Sequence, residues 1–153
     1  IAQCLVGSEM CIRDRYKMYA KSSGRSLYIS FIDIDGLKKV NDTYGHHEGD
    51  WLIKTIAECL RKASREEEVC MRFGGDEFIV LGLENVADGR HLEFEQEFQN
   101  HIRQVNESQK REYPVSASIG SYTIDDVEHT NLQIVIERAD MEMYLRKKKK
   151  KRG

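Results

Sequence analysis

Proline is nearly absent. Pro114 is the only one in 153 residues, so no proline-rich linker divides the chain. No apolar run approaches the roughly 20 residues that a membrane span needs. The four cysteines, Cys4, Cys11, Cys59 and Cys70, form no C-x-x-C pair, which argues against a zinc site. Cys70 lies in an apolar run and reads as a small buried hydrophobe. Neither sign of charge dominates: 24 Lys and Arg face 26 Asp and Glu, a net charge of −2. That balance gives no electrostatic reason to expect nucleic acid or an anionic membrane as a partner. Cysteine usage suits a reducing cytosol. The chain lacks an initiating Met and is therefore expected to be a fragment. An upstream sensory region, with any membrane anchor, would lie outside it.

What is present describes one ordinary globular domain, with 40% apolar and 33% charged residues. Residues 1–14 fit nothing that follows and resemble translated adapter read-through. They are set aside as a non-native leader, and the domain is expected over 15–153. Tyr16 to Ser23 reads as a helix end closed by Gly24. Leu27 to Ile32 is a nearly continuous apolar run, the pattern of a central strand covered on both faces. A short helix is expected over 36–42. A longer one, opened by Asp50 as its N-cap, is expected from Trp51 to Ser64. Strands follow over 68–73 and 77–83, then a helix over 88–108, a strand over 115–123 and a helix over 131–147. From Leu27 this order is β-α-β-β-α-β, a split βαβ or ferredoxin-like α+β fold. It places the strand ending in Asp33 mid-sheet, beside the hairpin.

The stretch that organises the chain is Arg72-Phe73-Gly74-Gly75-Asp76-Glu77-Phe78. Gly-Gly between two apolar runs predicts a tight hairpin with a primed turn, which needs positive φ. Asp76 and Glu77 are adjacent, and adjacent strand residues point to opposite faces, so the two acids are expected to do different jobs. Acids beside bare glycine backbone suit a metal ion and a closely approaching phosphate.

This heptapeptide resembles the defining motif of the GGDEF family, the diguanylate cyclases. A second stretch, Asp33-Ile34-Asp35-Gly36-Leu37-Lys38-Lys39-Val40-Asn41-Asp42-Thr43-Tyr44-Gly45-His46-His47-Glu48-Gly49-Asp50, is similar to the family's D-x-D-x-[FL]-K-x-x-N-D-x-x-G-H-x-x-G-D segment. With Ser118-Ile119-Gly120 and Arg138-Ala139-Asp140, the resemblance runs from about Leu27 to Lys147. It implies a palm-like core and the condensation of two GTP into cyclic di-GMP with release of two pyrophosphates. It further implies Mg²⁺ or Mn²⁺ as cofactor and a homodimer in which each copy brings one GTP. A module that binds GTP or cyclic di-GMP without synthesis is the alternative.

By the same resemblance, Asp33, Asp76 and the backbone carbonyl of Ile34 hold the metal. Glu77 contacts a second metal or takes the 3′-hydroxyl proton. Lys38 reaches the phosphates, and Gly74 and Gly75 let the backbone approach them. Asn41 and Asp50 read the guanine, with His46 near ribose and base. Arg72 is either a phosphate-side cation or half of a structural ion pair. Asp35 is expected to be a helix N-cap. Lys147 matches the lysine of the family's Y-x-A-K-x-x-G-R ending. Lys150 and Lys151 stand in the places of its glycine and arginine, and the run beyond Lys147 is expected to be a frayed tail. Arg65 and Glu68 match the family's inhibitory R-x-x-D product site, with Glu in place of Asp. The rival reading is a solvated run of glutamates.

Overall fold

The computed structural model describes residues 9–85, 87–127 and 129–152. The leader expected over 1–14 therefore lies largely outside the described residues. Helix α1 spans Glu9–Ser23, β1 Ser26–Ile34, α2 Leu37–Tyr44 and α3 His46–Ala63. Then come β2 Val69–Arg72, β3 Glu77–Glu84, α4 Arg90–Ser108, β4 Ala117–Ile124 and α5 Leu132–Arg152. The four strands form one antiparallel sheet in the order β2-β3-β1-β4, so β1 is internal, as the split βαβ order requires.

Alternation along β1 divides the core. Ile32 and Ile34 pack with α2, α3 and α4 around Leu52, Ile56, Phe94 and Phe98. Leu27, Ile29 and Phe31 pack on the other face with Tyr16 and Ala20 of α1 and with Val135, Ile136 and Met143 of α5. Both faces are covered, which is why Leu27 to Ile32 reads as a nearly continuous apolar run. Asp33 continues the odd-numbered set and so falls on the α5 face. At Gly120 the backbone of α5 lies directly on β4: a Cβ there would stand 2.1 Å from Met143 N and 2.6 Å from Ala139 O.

Three local expectations are corrected. Gly74 and Gly75 are not among the glycines of positive φ, which are Gly24, Gly36, Gly45 and Gly89. The hairpin instead carries a four-residue loop, Phe73–Asp76, closed by Phe73 N and Gly74 N donating to Glu77 O at 2.8 and 3.2 Å. The longer helix starts at His46, where Gly45 at φ 90 turns the chain, so Asp50 lies inside α3 and is not its N-cap. The lysine run is helical through Arg152, and Lys147 and Lys150 within it find partners in Asp33 of β1, Asp35 beyond it and Ala117 O of β4.

A further correction concerns Glu68. Its side chain is 1% exposed and not part of a solvated loop. It takes Arg90 Nε at 2.6 Å and Nη2 at 2.8 Å, Tyr28 OH at 2.6 Å and Arg65 N at 2.8 Å. Arg90 also donates to Ala63 O. Burial opposes the Arg90 charge, but its hydrogen bonds to Glu68 outweigh that and raise its pKa. Burial and the Glu68 carboxylate push the Tyr28 phenol up as well. The pair pins the start of α4 to the entry of β2.

Gly120→Ala should destabilise the fold by about 1–3 kcal/mol, the usual cost of overpacking, because backbone on α5 cannot swing aside as a side chain could. Urea unfolding of the variant beside the parent measures this, and an unchanged midpoint would contradict the close approach.

Candidate active site

The C-terminal end of β1 is where the charged residues gather. Register places Asp33 opposite Glu77 on β3 and opposite Ser118 on β4. Ile34 N donates to Asp76 O at 2.8 Å, which carries the pairing into the hairpin loop. Glu77, like Ile79 and Leu81, lies on the α5 face. Asp76 sits in the loop, free of strand alternation, and the expectation of one acid on each face fails for that reason. Asp33, Asp76 and Glu77 offer carboxylate oxygens that all lie within 4.8 Å of one another. The donor set is all oxygen, the kind that hard divalent cations prefer.

These acids repel. Burial, and then the nearby Asp76 and Asp33 carboxylates, hold Glu77 above its ordinary range. Asp33 is likewise raised, by burial first and by Asp76 and Asp35, even though Lys147 Nζ donates a hydrogen bond to it. Lys147 sees Asp33, Asp35 and Asp76 together. Their attraction, led by that hydrogen bond, outweighs its partial burial and raises its pKa. One lysine thus neutralises part of a cluster that holds more negative charge than it can balance.

The other expected residues are placed as follows. Arg72 donates to Gly74 O at 3.1 Å and Gly75 O at 2.7 Å, so it staples the loop through carbonyls and, among the described residues, makes no ion pair. A Cβ on Gly74 would meet Glu77 Oε2 at 2.5 Å, whereas Gly75 has open space around it. Lys38 is exposed on α2. The Asn41 amide lies so close to Gly49 that a Cβ there would be 1.8 Å from Asn41 Oδ1. Asp50, next in sequence, is exposed, as is His46 at the start of α3. Arg65 is exposed and pairs with Glu93 at 2.7 Å. Glu68 is committed to Arg90, so Arg65 and Glu68 do not present a joint open surface.

Asp35 is not a helix cap. The α2 N-cap is Gly36, with no side-chain cap bond. Asp35 accepts Ser116 Oγ at 2.7 Å, Ser118 Oγ at 2.8 Å and Lys150 Nζ at 2.9 Å. Burial alone would raise its pKa, but those three hydrogen bonds lower it. Sequence reasoning missed this hub. The signal was its place one residue beyond the end of β1, where Asp35 N still donates to Ser116 O at 2.9 Å. A cavity of about 550 Å³ opens beside it, between Lys39 and Tyr44 of α2 and Lys150 of α5. None of Lys38, Asn41, Asp50, Asp76 or Glu77 lines that cavity.

Residues 12–153 match the family described as "Diguanylate cyclase, GGDEF domain". The bifunctional diguanylate cyclase/cyclic di-GMP phosphodiesterase MucR of Pseudomonas aeruginosa is 35% identical over 130 residues, 84% of this chain and 18% of that protein. Diguanylate cyclase DgcP of Escherichia coli is 34% identical over 135 residues, 87% of this chain and 39% of that protein. The cyclic di-GMP phosphodiesterase NbdA of P. aeruginosa is 34% identical over 93 residues, 61% of this chain and 11% of that protein. The chain thus spans well under half the length of these curated relatives. Among solved structures, the GGDEF domain of DgcB from Caulobacter crescentus, in complex with c-di-GMP, superposes with a TM-score of 0.75 at 25% identity, covering 90% of this chain and 81% of that one. Diguanylate cyclase SiaD of P. aeruginosa, in complex with its activator SiaC, gives 0.76 at 27% identity, covering 90% and 52%. Fold, motif and family match agree: this chain belongs to the GGDEF family of diguanylate cyclase domains.

Proposed function

We propose that the chain condenses two GTP molecules into cyclic di-GMP and two pyrophosphates, as a homodimer that depends on a divalent cation. The observation that carries this reading is the meeting of Asp33, Asp76 and Glu77 within 4.8 Å at the end of β1. Those carboxylates, with the Ile34 carbonyl, would hold Mg²⁺ or Mn²⁺. When bound, the ion acidifies the attacking 3′-hydroxyl and offsets charge on the α-phosphate. Lys38 and Lys147 supply positive charge for the phosphates, and the open backbone at Gly75 admits them. Asn41 and Asp50 face the guanine edge, and His46 the ribose. Glu77, held above its ordinary pKa, is suited to accept the 3′-hydroxyl proton. One copy positions one GTP, so each 3′-hydroxyl attacks the α-phosphate brought by the other copy. The reading uses residues 15–153 and assigns no role to 1–14.

A second reading is a module that binds GTP or cyclic di-GMP without synthesis. Lys147 seated on Asp33 favours it, since a metal must share that carboxylate. The similarity to NbdA, a protein named for phosphodiesterase activity, supports it too.

Chromatography of GTP and Mg²⁺ incubations at rising protein concentration tests the enzyme. Cyclic di-GMP yield per protein should climb with concentration, and Asp76→Ala should abolish product while keeping the circular dichroism of the parent. No product from the parent, with GTP still bound in a titration, would favour the second reading.

The acid cluster also predicts a stability profile. A carboxylate raised above its unfolded pKa contributes stability at low pH that is lost as pH rises through the folded value. Glu77→Gln should therefore melt higher than the parent at pH 7, with the difference vanishing near pH 4. Mg²⁺ should raise the melting temperature of the parent and not that of Asp76→Ala. A parent as stable as Glu77→Gln at pH 7 would mean that burial and the neighbouring acids do not raise Glu77.

A further inference from the structure

Lys150 stands where the family's ending has a glycine, yet it is among the best-connected cations in the chain. Its ammonium reaches Asp35 Oδ2 at 2.9 Å, Ser116 Oγ at 2.7 Å and Ala117 O at 3.5 Å. One helical turn earlier, Lys147 donates to Asp33 Oδ1 and lies 3.7 Å from Asp35 Oδ1. Two lysines on one face of α5 therefore meet two aspartates at the C-terminal end of β1, Asp33 within the strand and Asp35 just beyond it. The pairing is matched: Lys150 to Asp35, Lys147 to Asp33.

We infer that Lys150 is a positioning residue for the active site. By neutralising Asp35 it prevents that carboxylate from capturing Lys147, and so keeps Lys147 beside Asp33, where a nucleotide phosphate can claim it. This rests on the reading of the Asp33 cluster as a nucleotide site. Without Lys150, Asp35 keeps its two serine donors but has no cation of its own. Lys147, already 3.7 Å away, is the nearest replacement. The opposed charges then draw together and Lys147 leaves the phosphate side. A glycine at this place can make no such contact, so the arrangement belongs to this chain's own ending.

Equilibrium titration of GTP with Mg²⁺ tests the inference on four variants of the whole chain. Lys150→Met should weaken GTP by about tenfold, the order expected when one charge-assisted contact is lost. Lys150→Arg should bind like the parent, and so should Lys149→Met, which removes equal charge from an exposed neighbour. Asp35→Asn/Lys150→Met should recover most of the loss, because the competing charge has gone with the lysine. A role confined to tethering α5 predicts no recovery in the double variant. Unchanged binding in Lys150→Met, or no recovery, overturns the inference.

If the parent itself binds no GTP, the nucleotide reading fails on its own. Titration with Mn²⁺ alone then reads the same geometry. Lys150→Met should bind Mn²⁺ severalfold more tightly than Lys149→Met, because Lys147 has moved off Asp33. Equal affinities of the two variants would overturn the positioning role independently.

Discussion

The antiparallel register of β1 against β3 is the constraint on which the site depends. Asp33 opposite Glu77 fixes two carboxylates on one face at one end of the sheet, and the Ile34–Asp76 hydrogen bond brings in the third. A slip of one residue would turn Asp33 toward the Ile32 face, among the apolar residues of α3 and α4. The register is itself held by apolar alternation on two covered faces. Packing of the whole sheet thus supports a cluster whose own electrostatics oppose it.

That opposition is relieved from one element. Helix α5 crosses the sheet at Gly120, where the absence of a side chain lets the two backbones meet. The approach sets Lys147 over Asp33 and Lys150 over Asp35. Arg146 and Lys150, four residues apart, donate to Ile119 O and Ala117 O on β4. Helical rise over four residues, about 6 Å, matches the spacing of alternate residues along a strand. Lys150 thus both balances Asp35 and, with Arg146, caps carbonyls of the edge strand β4.

The opposite end of the sheet spends charge differently. Glu68 and Arg90 are buried and fully hydrogen-bonded, and removing one partner of such a pair typically costs about 3–5 kcal/mol. Their role in this fold is to join β2 to α4. A glutamate matched to a binding motif by spacing is thereby committed to an arginine 22 residues away in sequence.

The sequence by itself determined the element order, the central place of β1 and the three acids, Asp33, Asp76 and Glu77, that meet at its end. Apolar periodicity and the two motif segments are local patterns, and they survive in the structure because nothing tertiary competes with them. Boundaries set by single residues did not survive. Asp50 does not cap α3 because Gly45 starts the helix earlier, and the Gly74-Gly75 loop needs no positive φ because it spans four residues. Only the tertiary structure decided the partners of the charged side chains. Glu68, Asp35, Arg72 and Lys150 each had a plausible local use. Each was taken instead by a group, near or far along the chain, that packing brought within hydrogen-bond distance. Charge pairing depends on distances in space, and those distances are set by how helices lie on the sheet.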